Sequence, residues 1–119
     1  LAVLVVDDDR ANCDALHHYL APLGHHVIAA HGADEALTLE TAHDAGLVDF
    51  DLGGLVDGLE LIANLRARGS MASYALVTAA RPEVYQDRAD AMAVTVFPKP
   101  LKSESLDRWL AAAAFRVSD

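Results

Sequence analysis

The sequence predicts an α/β fold in which one parallel sheet is covered by helices on both faces. Short runs of β-branched and other apolar residues alternate with segments whose apolar residues recur every three or four positions. Five strand–helix pairs follow one another, and such alternation is typical of parallel sheets. The chain has 119 residues and is 53% hydrophobic, which suits a single domain with its own core.

The strands are predicted where apolar runs are too short to form helices. The third of them, Gly46-Leu47-Val48-Asp49, is apolar until its last residue, as expected of a parallel strand buried on both faces. Ligands of open α/β sheets bind beyond the carboxyl ends of the strands, so Asp49 is placed where such proteins do their chemistry. The five strands are expected at residues 3–6, 25–30, 46–49, 75–78 and 94–97.

Five helices are expected to follow these strands. In the first, helical spacing predicts one buried stripe formed by Cys13, Leu16, Leu20 and Leu23. Asp9 is expected to cap this helix and Ser103 to cap the last one, because short polar side chains accept hydrogen bonds from free backbone N–H groups. The helices are predicted at residues 10–20, 33–43, between 57 and 69, at 83–93, and from 103 onward.

Composition limits the possible functions. The net charge of −9 argues against binding to nucleic acid by this domain, and it suits a metal cation or a basic partner. No apolar window is long enough for a transmembrane helix, and no signal peptide is visible, so no membrane contact is expected. A lone cysteine, Cys13, favours the reducing cytoplasm. Because the chain begins with Leu1, we expect it to be a single domain, residues 1–119, from a larger protein.

Polar side chains follow four of the predicted strands. Asp7 and Asp8 follow the first strand, Asp49 ends the third, Thr78 ends the fourth and Lys99 follows the fifth. Because the carboxyl ends of parallel strands meet at one edge of a sheet, these side chains are expected to lie together.

The predicted cluster suits phosphoryl transfer to a carboxylate. Two carboxylates about 5 Å apart repel by roughly 3 kcal/mol at an effective dielectric of 20, so their gathering implies a cation. Hard oxygen ligands, with no histidine or cysteine expected beside them, favour Mg²⁺ or Mn²⁺. Thr78 can donate a hydrogen bond to a phosphoryl oxygen, and Lys99 can neutralise another. Aspartate is a known phosphoryl acceptor.

The chain resembles the receiver domains of two-component response regulators and of hybrid histidine kinases. The resemblance covers essentially the whole chain and is carried, in order, by Val5-Val6-Asp7-Asp8, by Asp44 five residues before Asp49, by Thr78-Ala79 and by Lys99-Pro100. It implies a flavodoxin-like, doubly wound sheet with strand order 2-1-3-4-5.

The resemblance also implies roles for the clustered residues. Asp49 would be the phosphoacceptor, with Thr78 and Lys99 contacting the phosphoryl group. Asp8 would bind Mg²⁺ directly and Asp7 largely through water. The backbone carbonyl of Asp51 would be a further metal ligand. The donor would be a sensor histidine kinase or a histidine phosphotransfer domain. Self-catalysed transfer with slow autodephosphorylation is implied, rather than independent enzymatic turnover.

Three departures from the family pattern bear on the site. Family members commonly have the acceptor eight residues before the glycine that here is Gly58, whereas Asp49 lies nine before it and Asp51 seven before it. The spacing from Asp44 favours Asp49. Gly53 stands where the family often has proline, which predicts a freer loop. In addition, Val96 stands where the family often has an aromatic switch residue, and Phe97 is expected to face the other side of the strand.

Two alternatives remain at this point. Asp49-Phe50-Asp51 has the nucleophile–acid spacing of phosphatases of the haloacid dehalogenase type, but that family places this motif on its first strand and its acidic pair late in the chain. A degenerate receiver that only binds partners is the other alternative. The presence of Asp8, Asp49, Thr78 and Lys99 argues against it.

Overall fold

A computed structural model describes residues 1–39 and 41–118, and in this part of the chain five parallel strands form one sheet in the predicted order β2-β1-β3-β4-β5. The strands are β1 (Ala2–Val6), β2 (His26–Ala30), β3 (Ala45–Asp49), β4 (Ser73–Thr78) and β5 (Thr95–Pro98). The helices are α1 (Arg10–Leu20), α2 (Ala33–Thr38), α3 (Gly58–Ala67), α4 (Pro82–Ala91) and α5 (Ser103–Ser118). The doubly wound α/β fold predicted from sequence is therefore confirmed.

Helix α2 is shorter than the sequence predicted. It ends at Thr38 rather than at residue 43, and Leu39 already has an extended backbone with a ψ of 109°. The last carbonyl groups find other partners there, because the Thr38 hydroxyl donates to the Glu35 carbonyl at 2.9 Å and Arg68 donates to the Leu37 carbonyl. Glu40, which the sequence placed on this helix, lies outside the described residues.

The end of α1 also differs from the prediction. Cys13 and Leu20 are buried, but Leu23 is 56% exposed and does not belong to the buried stripe. The α-helix ends at Leu20 and the chain continues as a 3₁₀ helix that contains Pro22. Because a 3₁₀ helix has three residues per turn, the helical spacing that predicted a buried Leu23 no longer applies.

Helix α5 departs from the prediction at its beginning and along its apolar stripe. It begins at residue 103 as predicted, but Ser103 is its first helical residue rather than the capping residue before it. Leu106, Leu110 and Ala113 are buried as predicted, whereas Trp109 is only partly buried, with its ring edge-to-face against Phe97.

The sheet separates two apolar cores. On one face, Leu4 and Val48 pack with residues of α2, α3 and α4. On the other face, Val5 and Leu47 pack with residues of α1 and α5. Side chains alternate between faces along a strand, so a strand buried on both faces is apolar at every position. None of the helices in the described ranges has the length and apolar character needed to cross a bilayer.

Two arginines at the C-terminal end of α3, one in its last turn and one at its C-cap, contact the ends of the helices beside it. Arg66 donates to the Met92 carbonyl at 2.6 Å, and Met92 is the C-cap residue of α4. Arg68 donates to Leu37 at the end of α2 at the same distance. Cations at a helix C-terminus satisfy its free carbonyls and interact favourably with its dipole. These contacts hold α2 and α4 against α3.

Gly46 provides room for an aromatic ring on the neighbouring strand. Tyr74 is paired with Gly46 in the sheet and is 3% exposed. A Cβ atom at residue 46 would lie 2.6 Å from a ring carbon of Tyr74. The Tyr74 hydroxyl hydrogen-bonds to His43 at 2.7 Å and to Ser70 at 2.6 Å, so two hydrogen bonds hold the hydroxyl end of the side chain.

We therefore expect Gly46→Ala to destabilise the fold by roughly 1–3 kcal/mol, because overpacking forces neighbouring groups to move. Urea denaturation measures the change. Gly54→Ala is the matched control, since no atom lies within 4 Å of a Cβ there. The loss should shrink when Gly46→Ala is made together with Tyr74→Val, which removes the ring. A Gly46→Ala domain as stable as the wild type would contradict the packing described here.

Candidate functional site

The strand register brings Asp7 and Asp49 side by side. Val6 pairs with Val48 across β1 and β3, so the next residues on both strands are the two aspartates. Asp7 is 6% exposed and Asp49 is 8% exposed. Carboxylate oxygens of Asp7, Asp8 and Asp49 lie within 4.8 Å of one another. The acidic cluster predicted from sequence is therefore present at the carboxyl edge of the sheet.

Lys99 reaches the same cluster from the end of β5. Its Nζ lies 3.4 Å from Oδ2 of Asp49 and 3.8 Å from Oδ2 of Asp7. Its backbone N–H donates to the Thr78 carbonyl at 2.8 Å, which fixes the start of the loop after β5 against β4. The Lys99–Pro100 peptide bond that follows is cis. One ammonium group thus lies between two carboxylates.

The side chain of Asp7 accepts two further hydrogen bonds. Its Oδ1 accepts a hydrogen bond from the backbone N–H of Asp9 at 2.9 Å. Its Oδ2 accepts one from the side chain of Asn12 at 3.2 Å. Asp9 itself caps α1, as predicted, by accepting from the N–H of Ala11 at 2.9 Å. The contact of Asn12 was not predicted from the sequence. Its place in the first turn of α1, which follows the acidic run, is the feature that could have indicated it.

The electrostatics of Asp49 differ from those of an ordinary surface aspartate. Burial and the negative charge of Asp7 together raise the pKa of Asp49 from 3.8 to about 6, with burial the larger cause, although Lys99 acts in the opposite direction. Burial disfavours the ionised form, and so does a nearby like charge. A further positive charge beside Asp49 would therefore stabilise its ionised form.

Thr78 lies beside the acidic cluster, but its hydroxyl is hydrogen-bonded to a residue two positions along the chain. Its hydroxyl accepts a hydrogen bond from the N–H of Ala80 at 2.9 Å, and the residue is 3% exposed. Within residues 1–39 and 41–118, no hydrogen bond joins this hydroxyl to Asp49 or Lys99. The hydroxyl proton remains available as a donor, because a threonine hydroxyl can accept and donate at the same time.

Asp51 has a different environment from Asp49. Its side chain is exposed, and its Oδ1 accepts from the N–H of Gly53 at 3.1 Å. Asp49 is the last residue of β3 and lies against Lys99, whereas Asp51 lies in the loop that follows. This difference favours Asp49 over Asp51 as the reactive carboxylate.

The donor set fits a hard divalent cation. Three carboxylates and one ammonium carry a net charge of −2 when all are ionised, which one Mg²⁺ would balance.

The sequence-based expectation that no cysteine adjoins the cluster was wrong, since Cys13 donates through its sulfur to the Asp7 carbonyl at 3.4 Å. Burial raises the pKa of Cys13 to about 11, so its thiol stays protonated and is a poor metal ligand.

The loop after Asp49 is fixed to α3 by a close backbone approach. The N–H of Gly58 donates to the Phe50 carbonyl at 2.8 Å, and a Cβ atom at residue 58 would collide with the Asp49 carbonyl. Asp57 and Glu60 form a capping box at the start of α3. Glycine at residue 58 thus allows α3 to begin directly beneath the acidic strand end.

Helix α4 contacts this loop through two pairs that sequence reasoning missed. Arg88 forms two hydrogen bonds with Asp57, at 2.9 and 3.0 Å. Although partial burial acts in the opposite direction, these bonds hold the pKa of Asp57 below its usual value. The rings of Phe50 and Tyr85 lie 5.9 Å apart. The pairs join residues 31 and 35 positions apart, so no local pattern could reveal them.

The two residues of β5 at the expected switch position face opposite sides of the sheet. Val96 packs against the core shared with α3 and α4, whereas Phe97 packs against the core shared with α1 and α5. The prediction that Phe97 faces the other side of the strand from Val96 is confirmed.

The fold and the acidic cluster agree with a comparison to protein families. The family model of the response regulator receiver domain matches residues 3–111. The chain therefore belongs to the response regulator receiver domain family, and it is a receiver domain of two-component systems. This finding does not favour the phosphatase or the degenerate receiver as alternatives.

Two curated relatives and one solved structure illustrate the likeness. The chain is 32% identical to the two-component response regulator PhoP of Pseudomonas aeruginosa, over 99% of this chain and 53% of the relative. It is 33% identical to the virulence sensor protein BvgS of Bordetella bronchiseptica, over 99% of this chain and 10% of the relative. The chain thus spans about half or less of these proteins.

The solved structure is a response regulator protein from Burkholderia pseudomallei with a phosphorylated aspartic acid, a calcium ion and citrate. It is 30% identical to the chain, with a TM-score of 0.80, over 88% of this chain and 63% of that one.

The raised pKa of Asp49 predicts how stability depends on pH. A carboxyl group whose pKa is raised by folding favours the fold below its unfolded value near 3.8, and this contribution is lost as the pH rises through about 6. In metal-free buffer at pH 7.5, Asp49→Asn should therefore increase the free energy of unfolding by on the order of 1–3 kcal/mol.

Urea denaturation of both proteins at pH 7.5 and pH 4.5 tests this prediction, because the gain should shrink at the lower pH. Asp51→Asn is the control and should give no comparable gain, since Asp51 is exposed. Equal stability of the wild type and Asp49→Asn at pH 7.5 would contradict the prediction.

Proposed function

We propose that this receiver domain accepts a phosphoryl group from a phosphohistidine onto the carboxylate of Asp49. The observation that carries the proposal is the position of Asp49 at the end of β3, within 3.4 Å of the Lys99 ammonium and within the cluster it forms with Asp7 and Asp8. Membership of the receiver family supports the assignment. So does the solved structure from Burkholderia pseudomallei, which contains a phosphorylated aspartic acid.

In the proposed step, a carboxylate oxygen of Asp49 attacks the phosphorus atom of the phosphohistidine. An O–P bond forms, the P–N bond breaks, and the imidazole nitrogen leaves with the bonding electron pair and takes up a proton. The Lys99 ammonium stabilises negative charge on a phosphoryl oxygen, and the Thr78 hydroxyl donates to another. The protein would contribute to the reaction mainly by positioning these groups and by stabilising charge, as in other phosphoryl transfers.

Mg²⁺ is the cofactor that we propose, with Mn²⁺ as a substitute. The side chains of Asp8 and Asp49 and the backbone carbonyl of Asp51 would hold the ion, and Asp7 would act largely through water. When bound, the ion would supply positive charge that offsets the repulsion between the carboxylates and the negative charge of an incoming phosphoryl group. The net negative charge of the cluster supports this choice.

The phosphodonor that we propose is a sensor histidine kinase or a histidine phosphotransfer domain. The likeness to a segment of the sensor protein BvgS supports a place for the chain within a hybrid histidine kinase. Such signalling would occur in the cytoplasm, and the lone buried cysteine fits a reducing compartment. We expect the acyl phosphate to hydrolyse slowly in the domain itself, without turnover of a free substrate.

Phosphorylation should require both Asp49 and a divalent cation. Incubation with acetyl phosphate and Mg²⁺, followed by intact-mass analysis, should give a single phosphoryl adduct in the wild type. Asp49→Asn should give none, because it lacks the nucleophilic oxygen, and chelation of Mg²⁺ should also prevent labelling. Asp51→Asn is the matched control and should still be labelled.

Two outcomes would overturn the proposal. One is labelling of Asp49→Asn together with no labelling of Asp51→Asn, which would move the acceptor to residue 51. The other is steady release of inorganic phosphate from a free phosphomonoester, which would favour a phosphatase.

A further inference from the structure

Gly53 lies directly against one of the clustered carboxylates. A Cβ atom built on Gly53 would lie 3.1 Å from Oδ2 of Asp8, and no other atom of the described residues outside positions 52–54 is within 4 Å of that position. A separation of that size is tighter than nearly all real Cβ contacts, so a side chain at residue 53 would displace the Asp8 carboxylate by a few tenths of an ångström.

Asp8 is the least restrained of the three carboxylates. Asp7 is held by Asp9, Asn12 and Lys99, and Asp49 is held in the sheet and paired with Lys99. Asp8 is exposed, and its carboxylate makes no hydrogen bond or ion pair with any residue in the ranges 1–39 and 41–118. The loop at Gly53 therefore limits the space that is open to this carboxylate.

We propose that Gly53 is a positioning residue for cation binding, acting through Asp8. The inference rests on the proposed function, in which the acidic cluster holds Mg²⁺. A methyl group at residue 53 would push an exposed, flexible carboxylate aside, which the fold tolerates easily. Mg²⁺ does not tolerate the same shift, because it demands near-ideal octahedral geometry, and sound metal sites keep ligand distances within about 0.2 Å.

The backbone conformation of Gly53 has a separate effect that must be removed by a control. Its φ is +72°, in the left-handed region that L-residues adopt only with strain, so any substitution also lowers stability. Gly69 has a φ of +98° and open space around its Cβ position, so Gly69→Ala reports the backbone strain alone. Gly54 has neither feature and lies in the same loop, so Gly54→Ala reports the loop alone.

The test is an NMR titration of the unphosphorylated domain with Mg²⁺, together with urea denaturation of each variant. Gly53→Ala should weaken Mg²⁺ binding by about tenfold, the size expected when a group that orients a ligand is altered. Gly54→Ala and Gly69→Ala should keep the wild-type affinity, although Gly69→Ala should share the loss of stability. In an Asp8→Ala background, adding Gly53→Ala should produce no further loss of affinity, because the effect passes through Asp8.

The outcomes separate this inference from the proposed function. A wild-type domain that binds no Mg²⁺ would overturn both. A wild type that binds Mg²⁺ and a Gly53→Ala variant that binds it equally well would overturn the inference alone, as would an undiminished effect of Gly53→Ala in the Asp8→Ala background. If Gly53→Ala does not fold, Gly53→Asn replaces it, because asparagine tolerates positive φ and still places a Cβ atom against Asp8.

Discussion

The crowding of carboxylates at the carboxyl edge of the sheet is the constraint on which the site depends. Asp7 and Asp49 end neighbouring parallel strands in the same register, and Lys99 is the one cation in the described part of the chain that forms ion pairs with them. The raised pKa of Asp49 shows that Lys99 does not offset the combined effect of burial and of the Asp7 charge on this carboxylate. Above the pKa of Asp49, this arrangement opposes folding and favours the binding of a cation. Functional sites commonly lower the stability of the fold in this way.

The backbone around the site is built to maintain this crowding. Asp9 caps α1, and the Asp57 capping box begins α3, so both helices that follow the acidic strands start at fixed positions. Gly58 lets α3 approach the Asp49 carbonyl closely. Arg88 then ties α4 to the same loop through Asp57. Asp49 thus lies at the end of a strand that is paired on both sides, whereas Asp51 and Gly53 lie in the adjoining loop.

The sequence predicted the fold and the acidic cluster because both follow from strands that run parallel. Once five apolar runs alternate with helices, the residues at their carboxyl ends must share an edge, and Asp7, Asp49 and Lys99 do so. The sequence could not predict contacts between distant elements. Asn12 beside Asp7, and Cys13 beside the Asp7 carbonyl, depend on the angle at which α1 packs on the sheet. Short-range pattern was misleading where the helix type changed, as at the end of α1.

The central claim is that the phosphoryl group is attached to Asp49, and chemical trapping tests it most directly. The phosphorylated wild-type domain is treated with sodium borohydride, which reduces an aspartyl phosphate to homoserine and leaves free aspartate unchanged. Peptide mass spectrometry then identifies the modified position in the natural sequence, without any substitution. The account predicts homoserine at position 49 and at no other aspartate. Homoserine at position 51, or a phosphoryl adduct that yields no homoserine, would contradict it.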